Sequence, residues 1–178
     1  MYIWIACDVS CELNSIREKC KELNRSIGLD ETAFSLPQHI SLKISFEVSD
    51  EVYDDVIECI NDYLRGESPF TVSGPRAELY GSILWLAFDE TKTLSRIHNE
   101  LDELLLKKYQ VPLHEFDKSF KFHSTLFIDE SPDLLKMHRH IAKIPMPKEL
   151  RIDRFIIGSS PSGRAGDYNV VREINAKK

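Results

Sequence analysis

Several things are scarce in this 178-residue chain, and each scarcity removes a class of protein. No apolar run approaches the roughly 20 residues that a helix needs to cross a bilayer. Basic charge is also short: 23 Lys and Arg stand against 29 Asp and Glu, for a formal net charge of −6. A broad, sequence-blind nucleic-acid surface needs a clustered basic face to displace the counterions around phosphates, and this balance argues against one. A small phosphate-bearing ligand, or a single RNA end, remains compatible with it. The four cysteines, Cys7, Cys11, Cys20 and Cys59, form no C-x-x-C unit and have no histidine at ligand spacing, which argues against a zinc site and for reduced thiols in a cytoplasmic protein. Met1–Asp8 has no basic n-region, so it does not read as a signal peptide. No proline- or glycine-rich linker and no low-complexity tract divides the chain, so residues 1–178 are expected to form a single domain. With 42% hydrophobic residues there is enough apolar material for a core.

Strand and helix patterns alternate along the chain. Residues 2–7 read as a strand, and Cys11–Ile27 as a helix closed by Gly28. In His39–Phe46 the residues Ile40, Leu42, Ile44 and Phe46 take one parity and His39, Ser41, Lys43 and Ser45 the other, as in a strand with one polar face. Ser49 is placed to cap a helix that Gly66 ends. Phe70–Leu79, interrupted at Gly74-Pro75, and Ile83–Phe88 read as strands joined by a hairpin at Tyr80-Gly81-Ser82. Leu94, Ile97, Leu101, Leu104 and Leu105 mark a helix over Thr91–Tyr109. Phe120–Ile128 is a second polar-faced strand, a helix starts behind Ser131-Pro132, and two strands close the chain near Leu150–Ser159 and Tyr168–Ile174. Hairpins among alternating strands and helices predict an α+β fold with mixed or antiparallel sheets.

One weak repeat carries the chemistry. Each half contains a helix, a strand opening with His-x-Ser/Thr-Leu, and a further helix, and the two histidines lie 123 − 39 = 84 residues apart. Residues i and i+2 of a strand share a face, so His39 sits beside Ser41 and His123 beside Thr125. Two imidazoles across a cleft can hold opposite protonation states, one as general base and one as general acid, while the hydroxyls hold nonbridging phosphate oxygens. In-line displacement at phosphorus needs that equipment and no metal or other cofactor. A lone His-x-Ser is usually a surface or satisfied core histidine. Two matching tetrads, one in each half and both with the histidine on the polar parity, carry the functional reading.

With His39/Ser41 and His123/Thr125, the chain resembles the 2H phosphoesterase superfamily, which includes bacterial 2′-5′ RNA ligase-like proteins and cyclic nucleotide phosphodiesterases. Ile83-Leu84-Trp85-Leu86-Ala87-Phe88 and the closing Ser159-Ser160-Pro161 with Gly166-Asp167-Tyr168 are similar to the family's fragments. The resemblance implies a bilobed, pseudo-twofold fold with both histidines in a central cleft, catalytic roles for His39 and His123, phosphate binding by Ser41 and Thr125, and cleavage of a 2′,3′-cyclic phosphate, often to a 2′-phosphate. Analogy with the family leans towards His123 as base and His39 as acid. The chain departs from the family's usual pattern in Phe122 before the second histidine and in polar Ser124 where an aliphatic residue is more usual.

Three further residues are candidates for substrate binding. Lys43 shares the polar parity of His39 and can reach a phosphate, or else is a solvated lysine. Phe127 shares that of His123 and can stack on a base, or else packs beneath a loop. Tyr168, with Arg164, belongs to a glycine-containing segment that can fold over the cleft. His138 and His140 point apart on a helix and form no metal pair; His98 and His114 have no companion pattern. The expected partner is a small nucleotide or an RNA 3′-end bearing a cyclic phosphate, with no membrane and no metal, bound by a monomer. The competing reading is a non-catalytic module that holds a nucleotide or RNA end in the same cleft.

Overall fold

The computed structural model describes residues 1–177. Strand β1 (Tyr2–Asp8) is flanked by β2 (His39–Glu47) and β8 (Arg154–Ser160), and β9 (Asn169–Asn175) completes a four-stranded sheet in the order β2-β1-β8-β9. A second sheet joins β4 (Arg76–Tyr80), β5 (Ile83–Ala87) and β6 (His123–Ile128), and a two-stranded ribbon pairs β3 (Phe70–Ser73) with β7 (Glu149–Ile152). Every strand pair is antiparallel. The expected α+β class is what the molecule adopts, in its antiparallel form.

Helices α2 (Tyr53–Arg65) and α3 (Lys92–Tyr109) pack on the first sheet through β9 and β2. Helix α4 (Asp133–Ile141) packs on β4 and lies against α1 (Ser10–Asn24). Strands β2 and β6 approach each other between the two sheets, which brings the two tetrads together. Thr91 caps α3 by accepting a hydrogen bond from the Leu94 amide at 3.1 Å.

Some element boundaries differ from the sequence reading for local reasons. Ser49 does not cap α2; its carbonyl accepts from the Val52 amide in a preceding turn, and the helix begins at Tyr53. The interruption at Gly74-Pro75 is a change of sheet, from β3 in the ribbon to β4 in the three-stranded sheet. A Cβ at Gly74 would lie 1.6 Å from the Pro147 carbonyl oxygen, so only glycine lets the chain cross there. The β4–β5 hairpin turns through Gly81 at φ +58°, as its sequence predicts.

The larger departure lies inside the two tetrad strands. On β2, Ala6 of the neighbouring strand faces Ser41 while Ile5 faces Lys43, so one register step is lost at Leu42. On β6, Trp85 faces Thr125 while Leu84 faces Phe127, so a step is lost at Leu126. A β-bulge therefore follows the hydroxyl residue in both halves, and it turns the next side chain to the opposite face. Lys43 and Phe127 accordingly leave the polar face that strict alternation assigns them. Lys43 is 2% exposed and Phe127 fully buried, edge-on to Phe34 at 5.1 Å.

The buried lysine is compensated by charge. Its ammonium pairs with Asp102 of α3 at 2.7 Å and with Asp117, and His98 lies 3.5 Å from the second Asp102 oxygen. His98, Asp102 and Asp117 bring potential metal-ligand atoms within 4.8 Å of one another, but the ammonium already serves as the cation between the two carboxylates. Removing one partner of a buried ion pair leaves uncompensated charge, so Lys43→Met is expected to lower stability by about 3–5 kcal/mol. Denaturant unfolding measures this, and a loss below about 1 kcal/mol would show that the carboxylates find water in the variant.

Candidate active site

The order Pro37-Gln38-His39 at the head of β2 does two things locally. The Gln38 carbonyl accepts from the Val9 amide at 3.0 Å, closing the end of the sheet, and the Pro37 carbonyl lies 2.8 Å from Nδ1 of His39. The second half repeats the device: the Lys121 carbonyl lies 2.7 Å from Nδ1 of His123. A carbonyl oxygen has no proton to give, so each Nδ1 must be the donor. That fixes the same tautomer in both rings and leaves each Nε2 free as a base, or as an acid once protonated.

His39, Ser41, His123 and Thr125 all line one cleft of about 850 Å³ between the sheets. The half-buried imidazoles are close enough to sense each other. His39 is held below its ordinary pKa chiefly by burial and further by the positive charge of His123, while the Pro37 carbonyl and the Asp8 carboxylate act in the other direction. His123 is also held below its ordinary value by burial, with the Lys121 carbonyl opposing. Asp8 sits opposite His39 in the β1–β2 register and is itself paired with Arg154 at 3.0 Å.

A tryptophan underlies each histidine. Trp4 stacks on His39 with ring centroids 4.5 Å apart, and Trp85 lies against His123 at 4.2 Å. Neither indole N–H has a hydrogen-bond partner among the described residues. Tyr80 continues the second stack, parallel to Trp85 at 5.1 Å, and the Lys121 ammonium sits over Tyr80 at 4.8 Å. Tyr80, Phe116 and Ile128 give the second-half wall of the cleft a large exposed apolar area.

Of the three further candidates, Tyr168 and Lys43 border the cleft, the latter with its ammonium held by Asp102 and Asp117, and Phe127 does not. The Tyr168 hydroxyl bonds with the Ser45 hydroxyl and donates to the Gly163 carbonyl at 3.4 Å, beside the cleft-lining Gly163, Ala165 and Gly166. The Lys43 ammonium and the Phe127 ring are turned into the protein by the bulges. His138 places Nε2 3.1 Å from the Ala77 carbonyl, and His140 is exposed.

The sequence reading passed over Trp4, Trp85 and Gln38. The tryptophans had a usable signal: they are the chain's only two, 85 − 4 = 81 residues apart, close to the spacing of the histidines. Gln38 had none, because its partners become visible only when β2 and β6 meet.

The model of the 2′-5′ RNA ligase superfamily matches residues 10–163. The chain belongs to that superfamily. Its members are 2H phosphoesterases, so the chain is a phosphoesterase-type enzyme at that level of description. Over 99% of this chain and 98% of each partner, the fold is similar to TT0787 of Thermus thermophilus, with TM-score 0.68 and 19% identity, and to E. coli LigT complexed with 3′-AMP, with TM-score 0.61 and 19% identity. A crystal structure of a phosphoesterase gives TM-score 0.64 at 17% identity over the same shares. No curated protein matches the chain in sequence. At such identities the likeness describes the fold, and the residues of the site must carry the chemistry.

Gly158 faces Trp4 across the β1–β8 pair, and a Cβ there would lie 2.3 Å from the indole Cε2 and Nε1. Gly158→Ala therefore has to displace the ring on which His39 rests, at a cost of about 1–3 kcal/mol. A lowered Tm with altered tryptophan fluorescence is the expected result; unchanged values of both would show that the indole does not lie against Gly158 in solution.

Proposed function

We propose that this protein is a phosphodiesterase acting on nucleoside or RNA-terminal 2′,3′-cyclic phosphates by two-histidine acid–base catalysis. The observation that carries the reading is the repeated arrangement of carbonyl, imidazole and hydroxyl in β2 and β6. Each Nδ1 is tied to the carbonyl two residues earlier, each Nε2 is left free, and each hydroxyl lies two residues further along the same cleft wall.

In the proposed reaction, water attacks phosphorus in line with the bond to O3′. Nε2 of neutral His123 takes the proton from water as the new P–O bond forms. Nε2 of protonated His39 gives its proton to O3′ as the P–O3′ bond breaks, leaving a 2′-phosphate and a free 3′-hydroxyl. The Ser41 and Thr125 hydroxyls donate to the nonbridging oxygens, whose charge grows in the transition state. The division of roles follows the family's pattern; at His39 burial and the His123 charge disfavour the proton, while the Pro37 carbonyl and Asp8 favour it. The proton inventory closes without a metal ion. Tyr168 is placed to contact the substrate from the first-half wall, and Tyr80 and Phe116 offer apolar surface to a nucleobase on the other.

Both histidines are held below their ordinary pKa, so the free enzyme at neutral pH has mostly two neutral imidazoles and lacks its acid. The singly protonated pair becomes populated as pH falls towards the higher of the two pKa values and disappears below the lower. The expected kcat/KM profile is therefore bell-shaped, with its maximum on the acid side of about 6.5; a maximum above pH 8 would contradict the assignment. The activity test is turnover of 2′,3′-cyclic AMP in excess EDTA. Turnover should survive the chelator and fall by about 10²–10⁴ in His39→Ala and in His123→Ala separately. Tight binding of the cyclic nucleotide with no turnover by the unaltered protein would favour a binding module in the same cleft.

A further inference from the structure

Gln38 stands immediately before His39 at the head of β2, borders the cleft, and is 4% exposed. Its side-chain amide crosses to the other half of the molecule, where Nε2 donates to the Ser124 hydroxyl at 2.8 Å and to the Thr125 carbonyl at 2.9 Å. Ser124 is itself 1% exposed and immediately follows His123. One residue of the first tetrad's shoulder is thus bonded to two residues of the second tetrad, 86 and 87 positions away, at the border of the cleft. The polar Ser124, which departs from the usual aliphatic residue, has a partner that accounts for it.

A second tie runs between the same segments. Lys43, four residues after His39 on β2, pairs with Asp117, six residues before His123. Asp117 also accepts from the His114 amide at 2.7 Å, and its carbonyl lies 3.3 Å from Nε2 of the buried His98. These bonds hold the 3₁₀ turn Glu115–Ser119, which leads directly to the Lys121 carbonyl that orients His123. Strand β2 is therefore fastened to the second half on both sides of each histidine. No bond of this kind is needed to form either sheet, since both ties link different sheets or a sheet and a turn.

We infer that Gln38 is a positioning residue whose amide, bonded to Ser124 and Thr125, sets the separation of the two histidines across the cleft. Cleavage of a single phosphodiester by an acid and a base requires both Nε2 atoms within reach of one phosphate, so a small change in the spacing of β2 and β6 disturbs both proton transfers at once. The polar link sets a distance and an orientation that an apolar contact of the same volume does not, because a hydrogen bond is directional and packing is not. The kinetic consequence rests on the reading of the cleft as a cyclic phosphodiesterase; the geometric consequence does not.

The test separates positioning from stability by replacing both partners. Gln38→Leu alone leaves the Ser124 hydroxyl buried without a partner and is expected to lower Tm. The pair Gln38→Leu/Ser124→Val removes both side-chain polar groups and leaves only the part-buried Thr125 carbonyl without its Gln38 donor, so it is expected to recover most of that loss. With 2′,3′-cyclic AMP as probe, kcat of the double variant should stay at least about tenfold down while KM changes by less than about twofold. An activity-independent readout is NMR titration of His39, which faces Trp4, the Pro37 carbonyl, the Asp8 carboxylate and His123. His123→Ala should raise the His39 midpoint in the otherwise unaltered protein, and should raise it by less than half as much in the double variant. A double variant whose histidine coupling remains intact overturns the inference, as does a kcat that recovers together with Tm. If the unaltered protein does not turn over the cyclic phosphate, the proposed substrate falls, and the titration still decides the role of Gln38.

Discussion

Each histidine of the cleft is held by the backbone that leads into its own strand, through Nδ1 to the carbonyl two residues earlier. This bond settles the tautomer without a carboxylate partner, keeps the ring directed away from its strand, and leaves the other nitrogen to the cleft. Everything else in the site serves to bring two such units together. The antiparallel sheets supply the strands, the tryptophans of β1 and β5 support the rings, and the buried links from β2 to the second half fasten the units to each other. Backbone orientation also leaves the imidazoles free of a strong anionic partner, so burial dominates their acidity and pushes both towards the neutral form.

The same arrangement would let an acidic chain present the proposed site for phosphate. The chain carries a formal net charge of −6, while the cleft holds two imidazoles, two hydroxyls, and Lys121 over Tyr80. In the proposed reaction these groups would neutralise one phosphate, in keeping with the mononucleotide or chain end proposed as substrate. The buried Lys43, which the sequence offers as a further phosphate contact, is engaged instead in holding Asp102 and Asp117.

What the sequence made legible follows from which physics is local. Parity along a strand placed His39 with Ser41 and His123 with Thr125, because i and i+2 share a face until a bulge intervenes. The same rule failed two residues later in both strands, at Lys43 and Phe127, since a bulge is a property of the pairing between strands and leaves no mark in one strand's own pattern. The hairpin at Gly81 was readable because a positive φ selects glycine, whereas the sheet change at Gly74 depends on the distant Pro147. Gln38 looked like an ordinary loop residue; its meaning lies in partners on the far side of the cleft.

The central claim is that both Nε2 atoms face one phosphate while both Nδ1 atoms carry the structural proton. Ring ¹⁵N NMR of His39 and His123, recorded at alkaline pH and then with adenosine 2′-phosphate added at lower pH, tests this most directly. The account predicts the Nδ1–H tautomer in both free rings and a change at Nε2 of both on binding. A ring in the Nε2–H tautomer, or a nucleotide that perturbs one histidine and leaves the other untouched, would contradict it.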